Sequence, residues 1–91
     1  MYALSVLNCL GPDMGCVKDV VSSKDRSLID EYFTTVLHAR CIPVDPNKAL
    51  KTVSIDERDE NTLVIRAEYE DGGSSCTVIE QRAGQFYCYP C

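Results

Sequence analysis

Three short turn signals in the second half of the chain constrain its fold more than any other feature. They are Asp59-Glu60-Asn61, Asp71-Gly72-Gly73 and Arg82-Ala83-Gly84. Around them lie runs in which apolar and polar residues alternate, the period of a strand with one buried face. Residues 50–56 place Val53 and Ile55 on one side. Residues 62–70 are the clearest run: Leu63, Ile65, Ala67 and Tyr69 point one way, and Val64, Arg66 and Glu68 the other. Residues 76–81 and 85–89 form a last pair about Arg82. Connections this short join antiparallel neighbours, so the four runs predict a meander.

A sheet with one apolar face needs a cover, and residues 22–40 supply it. Leu28, Ile29, Tyr32, Phe33, Val36 and Leu37 recur at helical spacing and line up one broad stripe. Asp30, Glu31, Thr34 and Thr35 fall on the opposite face. Ser22 with Asp25 resembles a capping box at the start. At the far end His38 and Arg40 suit the helix dipole, and Pro43 prevents continuation. Ahead of this helix, residues 2–9 alternate like a strand and Gly11-Pro12-Asp13 breaks the chain. Met14, Val17 and Val21 then fit a short helical turn. Residues 41–48, with Pro43 and Asp45-Pro46-Asn47, read as an extended connection.

The expected fold class is α+β, in a single domain over residues 1–91. One long helix packs on an antiparallel meander of four to five strands, in the order β-α-β-β-β-β. That element order resembles cystatin-like folds, in which a curved sheet wraps a long helix. The resemblance is one of topology alone. The Gln-x-Val-x-Gly inhibitory hairpin is not in this sequence, so cystatin activity is not implied.

Six cysteines in 91 residues is high usage. Cys9, Cys16, Cys41, Cys76, Cys88 and Cys91 read first as a disulfide set that staples a small core. A last hairpin closed about Arg82 sets Cys76 opposite Cys88, close enough for a bridge. Cys91 would then join Cys9, Cys16 or Cys41 and lock the last strand to the first half. A second reading is zinc, because Cys88-Tyr89-Pro90-Cys91 has the spacing of half a site that His38 and Cys41 would have to complete. A third is a redox dithiol, which would need a helix after it to lower a thiol pKa, and none is expected. A fourth is a set of small buried thiols in a reducing compartment.

The formal charge of −5 argues against nucleic acid, which needs a basic face. No run is long enough to span a membrane, and residues 1–7 lack the pattern of a secretory signal. The acidic excess gathers in the second half, where Asp56, Glu57, Asp59, Glu60, Glu68, Glu70, Asp71 and Glu80 are opposed mainly by Arg58, Arg66 and Arg82. That is either a solvated edge or a negative surface for a basic partner, or one that imitates nucleic acid. The sequence has one histidine, no phosphate loop and no cofactor motif, and its serines fall at caps and turns. No enzyme is therefore expected. The expected function is a small acidic module that inhibits or neutralises a larger protein with a basic surface. Asp56, Glu57, Asp59, Glu60, Glu68, Glu70 and Asp71 would meet that surface, with Tyr87 and Tyr89 as aromatic anchors. The alternatives are a disulfide-stapled secreted structural or effector domain and a single-zinc module. Paired cysteines imply a secreted or periplasmic protein, and free ones a cytoplasmic protein.

Overall fold

The structure, a computed structural model, describes residues 11–91. Among these residues two short helices, α1 (Met14–Ser22) and α2 (Arg26–Glu31), precede four strands: β1 (Leu50–Asp59), β2 (Thr62–Tyr69), β3 (Ser74–Arg82) and β4 (Gln85–Pro90). The expected strand over residues 2–9 lies outside the described residues.

The long helix expected over residues 22–40 is not there, and its interruptions have local causes. Asp13 caps α1 by accepting from the Gly15 N–H at 2.6 Å. At the other end the Ser23 hydroxyl donates to the Val20 carbonyl at 2.6 Å, and Lys24 turns left-handed at φ 59°. Regular helix cannot pass through that conformation. Asp25, rather than Ser22, then caps α2, accepting from the Leu28 N–H at 3.1 Å. Beyond Glu31 the chain widens into a π-helical segment, Tyr32–Val36, where the Leu37 N–H donates to the Tyr32 carbonyl at 3.0 Å. The Thr34 and Thr35 hydroxyls donate to the Asp30 and Glu31 carbonyls at 2.8 and 2.5 Å. They share the acceptors that regular helical N–H groups would use and so weaken that ladder. His38, at φ 53°, ends the segment.

The expected stripe survives the break. Leu28, Ile29, Tyr32, Phe33 and Leu37 are buried together with Val17, Val20 and Val21 of α1. The four strands pair in sequence order, β1-β2-β3-β4, all antiparallel. Leu63, Ile65, Ala67 and Tyr69 of β2 and Ile79 of β3 join the helical residues in one core. The chain is thus α+β, a helical layer on one face of a meander. The cystatin-like element order is matched only in having helix ahead of a four-stranded meander.

Two buried tyrosines tie the layers with their hydroxyls. Tyr32 donates to the Gly11 carbonyl at 3.0 Å, which fixes the entry to α1. Tyr69 accepts from the Asp45 N–H at 2.8 Å and hydrogen-bonds Ser75 Oγ at 2.8 Å. Ser75 in turn donates to the Pro43 carbonyl at 3.2 Å, so the connection before β1 is pinned to the sheet.

Candidate functional site

The β3–β4 turn decides which residues share a face. Ala83 and Gly84 both have positive φ, 51° and 77°, the signature of a two-residue type I′ turn between Arg82 and Gln85. The hairpin therefore centres beyond Arg82, and the ladder runs Glu80↔Tyr87, Ile79↔Cys88 and Val78↔Tyr89. This overturns the expected opposition of Cys76 and Cys88. Cys76 instead bridges Cys91, with Cα atoms 5.4 Å apart, and the Cys91 N–H donates to the Cys76 carbonyl at 3.2 Å. Cys88 lies on the core face and bridges Cys41, Cα to Cα 5.7 Å, which joins the chain after the helical layer to the last strand. Cys16 is also disulfide-bonded. Cys9 lies outside the described residues. Cys88 and Cys91 thus serve separate bridges on opposite faces, and their spacing does not form a chelating or redox pair.

Ladder pairs carry the face assignment across the sheet, because opposed residues point the same way. On the outer face one row runs Asp56, Val64, Val78 and Tyr89, and the next holds Thr62, Glu80 and Tyr87. A third holds Ser54, Arg66 and Cys76, and Glu68 follows opposite Ser74. Val64 and Val78 are buried although they point away from the helical core. Tyr87 and Tyr89 are the exposed large apolar side chains among the described residues, at 39% and 41%.

The predicted acidic residues do not gather into one patch. Asp56 and Glu68 share the outer face with the tyrosines, and Asp59 and Glu60 stand at the β1–β2 turn on its rim. Glu57 faces the helical layer and pairs with Lys18 of α1 at 3.2 Å. Glu70 and Asp71 occupy the β2–β3 turn at the opposite end of the sheet, roughly 25 Å away along an eight-residue strand. There Asp71 accepts from the Gly73 N–H at 2.8 Å and pairs with Lys48 at 3.5 Å. The Gly73 hydrogen bond, helped by Lys48, holds its carboxyl below the usual carboxylate range. Glu80, outside the predicted partner-binding set, does share the tyrosine face, where it pairs with Arg82 at 2.8 Å.

Basic side chains gather on the other side of the tyrosines. Arg82 lies over the Tyr87 ring, 4.5 Å from its centre. His38, Arg40, Arg82, Tyr87 and Tyr89 line a groove of about 310 Å3 along β4. Arg40 and Arg82 are remote in sequence, and only the Cys41–Cys88 bridge and the β4 register reveal that they share a groove. Among the described residues no group of three or more His, Cys, Asp or Glu could hold a metal ion. No helix among them is long and apolar enough to cross a membrane. The disulfides fit an oxidising compartment, secreted or periplasmic. Comparison with protein-family models, curated proteins and solved structures finds no match to this chain.

Proposed function

We propose that the protein is a small acidic binding module that inhibits or neutralises a larger protein by docking its outer sheet face. The observation that carries this reading is the pairing of exposure with register. The two exposed tyrosines lie on one face, in rows that also contain Asp56 and Glu80. Rigid aromatic side chains on a strand lose little entropy on binding and are frequent interface anchors. Acidic residues on the same face and at its rim favour a partner with a basic surface and steer its approach. The partner works in an oxidising space, where the bridges persist.

A second reading, a disulfide-stapled secreted structural or effector domain, is favoured by the density of bridges alone. Capture on the immobilised protein, with disulfides intact, separates the two. The binding module retains a protein at low ionic strength and releases it at high salt. Tyr87→Ala with Tyr89→Ala, and separately Asp56→Lys, abolish or weaken that retention. Identical captured proteins on the native chain and both variants would refute the outer-face reading.

A further inference from the structure

We infer that the outer edge of β4, which no described strand pairs, accepts an extended acidic peptide segment as an added strand, held in the groove formed with His38, Arg40 and Arg82. This goes beyond the outer-face reading and stands independently of it.

The backbone supplies the first part. Among the described residues β4 pairs with β3 on one side only, so its other side is an edge of the described sheet. In a two-residue hairpin the residues flanking the turn, Arg82 and Gln85, form a hydrogen-bonded pair, and the pairs alternate from there. Glu80–Tyr87 and Val78–Tyr89 are then hydrogen-bonded pairs, and Phe86 and Cys88 turn their N–H and carbonyl groups outward. The observed bond from the Cys91 N–H to the Cys76 carbonyl falls in the same phase. Pro90 has no N–H, so the edge ladder ends at that residue.

The side chains supply the second part. The groove contains residues of both faces of β4, including Phe86, Tyr87 and Cys88, so it runs along the strand edge. Its basic lining is His38, Arg40 and Arg82, and among the described residues no carboxylate lines it. In a chain of net charge −5 this is a local reversal of sign. Arg82 pairs with Glu80 through Nε at 2.8 Å, and its exposed guanidinium can offer the Nη groups to an incoming carboxylate while it remains stacked on Tyr87. The Cys41–Cys88 bridge fixes the segment bearing Arg40 beside the strand, so the groove is organised before the peptide arrives. Strand addition draws affinity from main-chain hydrogen bonds, and the cations select acidic residues on the added strand.

The test is a titration of 15N-labelled protein, disulfides intact, with a hexapeptide alternating glutamate and valine. The Phe86 and Cys88 amides are expected to shift and to gain protection from exchange. Arg40→Gln with Arg82→Gln is expected to weaken binding at least about tenfold. Of two peptides N-methylated on either the valines or the glutamates, at least one loses binding, which does not depend on any variant folding. Asp56→Lys leaves peptide binding in place, which separates this site from the outer face. If the cations merely blunt the edge against aggregation, the Phe86 and Cys88 amides stay unshifted. That result, or binding by both N-methylated peptides as tight as by the unmethylated one, overturns the inference.

Discussion

Cys76 and Cys91 stand directly opposite one another across the last hairpin, their Cα atoms 5.4 Å apart, while Cys88 faces the helical core and bridges Cys41. The two bridges do different work. Cys76–Cys91 joins strands that the ladder already pairs. Cys41–Cys88 joins the segment after the helical layer to the sheet.

Removing the Cys41–Cys88 bridge by paired serine substitution is expected to cost about 3–5 kcal/mol, given its separation of 47 residues. Removing Cys76–Cys91, separated by 15 residues within one hairpin, should cost less, about 0–3 kcal/mol. Urea denaturation of the two double variants gives the order directly. A larger loss from the second pair would contradict the assignment of roles.

Ala83 pays a steric penalty at φ 51°, in a region where a Cβ is disfavoured. Ala83→Gly should therefore stabilise the protein by about 1 kcal/mol, after allowing for the greater freedom of glycine when unfolded. Chemical denaturation checks the sign.

Tyr69→Phe keeps the ring in the core but removes the hydroxyl that holds the Asp45 N–H and Ser75 Oγ. The expected loss is about 1–3 kcal/mol. Faster hydrogen exchange at Asp45 should accompany it. An unchanged Asp45 exchange rate would show that the loop is held by other contacts.

Burial pushes the Tyr32 hydroxyl above its ordinary pKa, and the nearby Asp13 charge acts in the same direction against its hydrogen bond with the Asp13 backbone. The unfolded chain ionises first, at about pH 10. The stability that the neutral hydroxyl contributes is complete below that pH and is lost as pH rises through the folded-state value. Tyr32→Phe should be less stable at neutral pH and show a shallower decline in alkali. Equal slopes in the two proteins would remove Tyr32 from the alkaline transition.

The strands were legible because alternation and turn chemistry agree locally. Leu63, Ile65, Ala67 and Tyr69 lie on the core face that their period predicts, and Asp71-Gly72-Gly73 turns the chain between β2 and β3. The helix breaks were not legible. Ser23-Lys24 contains neither glycine nor proline, and the π turn arises from threonine hydroxyls whose competition for carbonyls has no period. The hairpin register was missed because Arg82-Ala83-Gly84 permits several centres, and an alanine gives no hint of a positive φ. A shift of three residues is odd, so it exchanges the two faces of β4. The acidic residues looked like one cluster because sequence proximity hides the length of β2, which separates the two turns that carry most of them.

Disulfide-linked peptide mapping of the unreduced protein tests the central claim most directly, because the register of β4 decides where the tyrosines point. Cys41 linked to Cys88 and Cys76 linked to Cys91 is the predicted result, and it keeps Tyr87 and Tyr89 on the outer face. A Cys76–Cys88 link would contradict it, turning both tyrosines toward the helical layer and removing the surface on which the proposed function rests.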